Sequence, residues 1–233
     1  MTAHVDDALS GEAMTHARRD AVLVLGAESP AVATFAGILR TLGMHAPTIA
    51  TADDEPAPRW VADLHERLLT RANVAVDDGR PDAWFDAGRL STQEQYRAKA
   101  QEWLGQSLAE HDDPGELVLA DPALPWFLEL WNGALSRLDA DVAHVLVLAP
   151  PALAPHTGTG PTPLGRAVSW LNLTLHAERA TRGTRRAAIR QADLLDDWTV
   201  PVYALGERWG LRSVMEARAQ AVRSVHDFVD HAP

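Results

Sequence analysis

Three groupings of residues in this 233-residue chain have types and spacing that could do chemistry: the loop Gly26-Ala-Glu-Ser-Pro-Ala-Val-Ala-Thr34, ten histidines, and five arginines between 179 and 190. The loop follows the apolar run Ala21–Leu25 and leads into a helical pattern. At such a junction the free N–H groups and the helix dipole favour an anion. A working phosphate loop also needs glycines for close backbone approach, hydroxyls and usually a cation. Here Glu28 brings negative charge, Pro30 has no N–H, and Ser29 can cap the helix itself. Two readings stand side by side: a reduced anion site with Gly26, Ser29 and Thr34 as contacts, or a loop that satisfies itself.

Histidines hold a metal only when several share a face at ligand spacing. His45, His65, His111, His144, His156, His176 and His226 are scattered, and no HExxH occurs, so no metal site is expected. The pairs Asp53-Asp54, Asp77-Asp78, Asp112-Asp113 and Asp196-Asp197 lie in polar segments, which predicts mostly solvated turns and caps. A GxSxG nucleophile elbow is absent. Arg179, Arg182, Arg185, Arg186 and Arg190 form a dense basic cluster that could meet an anionic ligand or an acidic partner. With Glu178 and Asp193 close by, it could equally be a solvated, self-paired face. Tryptophans at helical spacing, such as Trp126 and Trp131, are expected in the core.

Positioning these residues falls to alternating strands and helices. Ala21–Leu25 reads as a strand buried on both faces, and Phe35, Ile38, Leu39 and Leu42 trace a helix that Gly43 stops. A polar loop over 47–58 precedes an amphipathic helix through Trp60, Leu64, Leu68 and Leu69, and a charged helix spans 91–110. Glu116–Ala120 and Ala143–Ala149 are further strands, with a helix holding Trp126, Phe127, Leu130 and Trp131 between them. After a Gly/Pro loop over 156–163, helical spacing resumes through Val168, Leu171 and Leu175. Ala187–Arg190 reads as an edge strand, and helices over 203–209 and 213–229 close the chain. The pattern predicts an α/β fold with a mostly parallel sheet flanked by helices.

Length and composition fit one domain, over 20–230, after a flexible tail over 1–19. A net charge of -11 opposes the broad attraction that nucleic acid or an anionic membrane requires. With no cysteine, thiolate catalysis and disulfides are excluded, and a reducing, cytoplasmic setting is expected. The leading residues carry Asp6 and Asp7 and no long apolar stretch, so neither a signal peptide nor a membrane span is expected.

Three stretches, Trp60-Val-Ala-Asp-Leu-His-Glu-Arg-Leu-Leu69, Arg80-Pro-Asp-Ala-Trp-Phe85 and Trp170-Leu-Asn-Leu-Thr-Leu-His-Ala-Glu-Arg-Ala-Thr-Arg-Gly183, resemble the actinobacterial sulfotransferase family. The resemblance runs from about Val22 to Asp230. It implies a P-loop-like sulfotransferase architecture and the sulfate donor 3'-phosphoadenosine 5'-phosphosulfate (PAPS), whose sulfuryl group passes to a hydroxyl acceptor such as a glycan. The family's donor loop looks like Gly-Ser-Gly-Arg-Ser-Gly-Thr-Ser. This chain keeps Gly26 but has Ser29 for the arginine, Pro30 for the serine and Val32 for the threonine. A Lys-Asp-Pro-Arg motif stands here as Ala120-Asp121-Pro122-Ala123, and an Arg-Pro-Pro as Ala149-Pro150-Pro151. What the resemblance leaves of a cofactor site is Gly26, Ser29, Thr34 and Asp121.

Four cations are thus replaced at three places. A charge-assisted hydrogen bond contributes about 1.5–3 kcal/mol, and micromolar binding totals only about 8 kcal/mol. The expectation is a sulfotransferase-like protein with weak or lost PAPS-dependent activity, acting as a binding or partner subunit. An active sulfotransferase that grips its donor through the 179–190 arginines is the alternative. In that case His65 or His176 would be the base that takes the acceptor proton. The family pattern also predicts a C-terminal segment beyond Phe228 that this sequence does not carry.

Overall fold

The computed structural model describes residues 19–27, 30–47, 59–109, 115–151 and 162–230. Its centre is β1 (Arg19–Leu25), whose alternating side chains feed two separate cores. Ala21, Leu23 and Leu25 enter one apolar cluster, whereas Val22 and Val24 enter the other. A strand with no polar face must be covered on both sides, and the helices divide accordingly. On the first side lie α2 (Arg59–Ala72), α3 (Ala83–Ser91), α4 (Glu94–Ala109), α5 (Leu128–Ser136) and the buried edge of α6 (Pro163–Ala180). The second side is covered by α1 (Pro30–Leu42), α7 (Gln191–Asp197), α8 (Thr199–Trp209), α9 (Arg212–Met215) and α10 (Ala219–Asp230).

Three further strands, β2 (Glu116–Ala120), β3 (Ala140–Leu148) and β4 (Arg185–Arg190), complete a sheet of order β2-β1-β3-β4. All three pairings are parallel, with Leu23 opposite Leu119 on one side and His144 on the other. The expected α/β architecture is therefore present, with β4 at the edge as its position in the sequence suggested. Gly43, at φ 119°, ends α1 in a conformation that L side chains avoid.

Several expectations change in the structure. The tail expected over 1–19 falls outside the described residues except for Arg19, the first residue of β1. Most of the 47–58 loop is also outside them, as are the pairs at 53–54 and 112–113 and the histidines at 111 and 156. The charged helix starts at Glu94, because α3 takes residue 91 as its own last turn. The helix expected over 213–229 is two, α9 and α10, separated at 216–218. Asp78 is buried rather than solvated. Burial raises its pKa, but hydrogen bonds from Arg80 and from the N–H groups of Arg80 and Ala75 outweigh that and hold the carboxyl below the ordinary range.

The apolar spacing in α6 also points the other way. Val168, Leu171 and Leu175 are 43–50% exposed, and the helix buries Leu173 and Ala177 instead. The periodicity finds an apolar face, but α6 meets the domain along a different one, fixed by Asn172, whose side-chain amide donates to the carbonyls of Asp78 and Arg80. Among the described residues no helix is long and apolar enough to cross a membrane.

His144, on β3, sits almost fully buried, with its ring nitrogens 3.1 Å from Asn132 Oδ1 and from Thr184 Oγ1. Burial lowers its pKa from 6.5 to about 4. Below pH 6.5 the unfolded chain takes up this proton while the folded chain does not, so stability falls as pH drops from 6.5 to about 4. Each unit in that window removes up to about 1.4 kcal/mol. Urea melts across the window are expected to show a shallower pH slope in His144→Gln than in the wild type.

Candidate functional site

Of the residues expected at a cofactor site, Gly26 follows β1 in a space with no room for a side chain. A Cβ there would lie 2.7 Å from Val32 Cγ2 and 2.8 Å from the Val147 carbonyl oxygen. Packing against β3 is thus sufficient reason for a glycine, whatever the loop binds. Ser29, like Glu28, lies outside the described residues, and Thr34 is buried in α1. At the carboxyl ends of the strands, where ligands bind in open parallel sheets, stand Ala27, Ala120, Ala149 and Arg190. Arg190 is engaged by Asp193 at 2.5 Å.

Asp121 and His65 meet. His65 Nδ1–H donates to Asp121 Oδ1 at 2.6 Å, and the Trp131 indole N–H donates to His65 Nε2 at 2.8 Å. Because Nε2 accepts, it carries no hydrogen, so the ring is the neutral Nδ1–H tautomer rather than half of an ion pair. The same Asp121 oxygen takes the N–H of Ala123 at 2.9 Å, which fixes the chain as it leaves β2. His65 is 1% exposed with both nitrogens engaged, so in this arrangement it has no free position for an acceptor proton.

His176 sits on the other side of the same connection. Its Nε2–H donates to the Pro125 carbonyl at 3.0 Å, and its ring lies nearly parallel to Trp126 (centroids 5.6 Å apart) and to Trp84 (6.0 Å). Its Nδ1 is buried without a partner among the described residues. Burial lowers the pKa, the neighbouring Arg179 charge adds to this, and the Pro125 bond only partly offsets both, so the ring is neutral at pH 7. His65 stacks on Phe127 and His176 on Trp126. The two histidines therefore flank one short 3-10 turn, Leu124–Phe127, without touching a common point.

The stretches Trp60–Leu69, Arg80–Phe85 and Trp170–Gly183 converge around that turn. The first contributes His65, the second Trp84 and the third His176. Between α3, the turn and α6 they leave a cleft of about 420 Å³ walled by Trp84, Phe85, Trp126, Leu128, His176 and Arg179, with Arg89 and Glu129 also on its wall. Trp126 is fully buried, as expected of a core tryptophan, but Trp84 is half-buried and Phe85 is exposed. Sequence reasoning passed over α3. The signal for it was the pair Trp84-Phe85 at the head of a short helix, facing an arginine cluster that begins three helices later, at the end of α6.

The cluster itself is largely spent internally. Arg182 and Arg186 both pair with Glu178, Arg190 pairs with Asp193, and Arg185 binds Asp20, Asp141 and the Trp209 carbonyl. Arg179 alone of the five has no carboxylate in ion-pair range among the described residues; its guanidinium lies 5.6 Å from the Trp84 ring centroid. Among the described residues no group of three or more His, Asp or Glu side chains could hold a metal ion.

Two substitutions test these assignments. Gly26→Ala is expected to cost about 1–3 kcal/mol in urea melts, because the Val147 carbonyl cannot move aside. His65→Phe, which keeps the bulk but strands the Trp131 N–H and Asp121, is expected to cost about 2–4 kcal/mol in the same assay.

Comparison with protein-family models, with curated proteins and with solved structures found no match for the chain.

Proposed function

We propose that this chain is a sulfotransferase-like protein with weak or lost PAPS-dependent activity that acts as a binding or partner subunit. The observation that carries the reading is the charge at the carboxyl edge of the sheet. Among the described residues Ala27, Ala120, Ala123 and Ala149 stand there beside Asp121, and Arg190, at the end of β4, already pairs with Asp193. A donor with several phosphate charges needs cations or free N–H groups, and unpaired anions near desolvated backbone bind poorly. Gly26, which a phosphate loop would use for close approach, is occupied by Val32 and Val147.

The alternative, an active sulfotransferase holding PAPS through the 179–190 arginines, would require Arg182 and Arg186 to leave Glu178. These pairs are open to solvent, so each departure would cost little and weighs only slightly against that reading. The proposed setting is cytoplasmic, in keeping with a cysteine-free chain, and the net charge of -11 argues against nucleic acid as the partner.

Calorimetry with PAPS and with its desulfated product tests the proposal. The expected result is no binding tighter than about 100 μM. Low-micromolar binding, or sulfate transfer to a hydroxylated glycan that disappears in Arg182→Ala and Arg186→Ala, would overturn it.

A further inference from the structure

We propose that the cleft between α3, the Leu124–Phe127 turn and α6 is a binding site for a small aromatic carboxylate. At about 420 Å³ it falls in the size range of small-ligand sites, which are mostly apolar with a few placed polar groups. Its apolar part is built from flat surfaces. The His176 ring lies nearly parallel to both Trp126 and Trp84, at interplanar angles of 17° and 22°, and Phe85 meets Trp84 edge-on at 5.9 Å. Phe85 is 56% exposed, so an aromatic face stands uncovered at the mouth. Such walls favour a flat ring over a branched aliphatic group.

The charge of the ligand follows from the two arginines on the wall. Arg179 and Arg89 have no carboxylate in ion-pair range among the described residues, whereas Arg182, Arg185, Arg186 and Arg190 each have at least one. A guanidinium held over Trp84 keeps its planar fork of donors, and that fork matches a carboxylate edge to edge. The wall's single carboxylate, Glu129, is directed to Arg97, which is not part of the wall. His176 is neutral at pH 7 and adds no charge. A ring in the aromatic part with its carboxylate on Arg179 uses every one of these features. The inference goes beyond the function proposed above and does not depend on it, because the ligand contains no nucleotide.

Calorimetry on the full chain with naphthoate, its neutral analogue naphthalenemethanol and the cation naphthylmethylammonium tests the site. Naphthoate is expected to bind at about 10–100 μM, the alcohol about tenfold more weakly, and the ammonium not at all. Arg179→Gln, an exposed position, is expected to weaken naphthoate about tenfold while leaving the alcohol within about twofold. Phe85→Ala is expected to weaken both. No naphthoate binding at about 5 mM, ammonium binding as tight as naphthoate, or unchanged naphthoate affinity in Arg179→Gln would each overturn the proposal. Naphthoate binding alongside a low-micromolar PAPS result would leave this site standing and remove only the function proposed above.

Discussion

The hydrogen-bonded line from Asp121 through His65 to Trp131 is the constraint on which the rest of this half of the molecule depends. It joins the end of β2, the middle of α2 and the first turns of α5 through one buried neutral imidazole. Both ring nitrogens of His65, the Trp131 indole N–H and Asp121 Oδ1 are hydrogen-bonded, and a buried polar network satisfied in this way rigidifies a core instead of weakening it. Around it the rings run on in contact. Trp60 stacks on Trp103 at 4.9 Å, Trp103 meets Trp131 edge-on, and His65 stacks on Phe127 at 5.1 Å. Beyond the turn the series resumes with Trp126, His176 and Trp84. At the cleft this aromatic series reaches solvent through Trp84 and Phe85.

The same logic explains where the positive charge went. An acidic chain has few cations to place, and most of those in the arginine cluster hold elements together. Arg185 ties β4 to Asp20 of β1 and Asp141 of β3, with its guanidinium also over the Trp209 ring at 5.4 Å. Arg186 bonds the Glu178 carbonyl and carboxylate at the end of α6. At the opposite margin of the sheet, the buried Glu116 accepts the N–H groups of Arg212 and Ser213, which pins α9 to β2. Charge among the described residues is chiefly a fastening for strand and helix ends, and at the carboxyl edge of the sheet too Asp121 is hydrogen-bonded to His65 and Arg190 is paired with Asp193.

Much of the fold was legible because it follows from apolar runs of fixed period. Ala21–Leu25 could only be a central strand, and Glu116–Ala120 is found with the bounds its composition suggested. The site was less legible, for two physical reasons. Periodicity reports that a helix has an apolar face but not which face the domain covers, so Val168, Leu171 and Leu175 marked the helix yet are exposed, while the buried Leu173 did not stand out. A histidine's role is set by partners distant in sequence. Nothing near residue 65 points to Asp121 or Trp131, and nothing near residue 176 points to the Pro125 carbonyl. Of the two readings of the arginine cluster, the self-paired face describes four members, whereas Arg179 has no carboxylate in ion-pair range among the described residues and lies over Trp84.

Floor and rim of the cleft answer to different forces, and this separates binding from folding in the molecule. Trp126 and His176 form the floor and belong to the core: Trp126 donates its indole N–H to the Val76 carbonyl, and His176 holds the turn through Pro125. Altering them removes buried contacts and satisfied hydrogen bonds, so stability changes before affinity can be read. Phe85, Arg89 and Arg179 form the rim and are exposed. Their substitution removes little that folding uses, so ligand preference can change there at small cost to the fold. A rigid aromatic floor with an adjustable charged rim suits a binding role, since the floor supplies shape without reorganisation and the rim selects among flat ligands by charge.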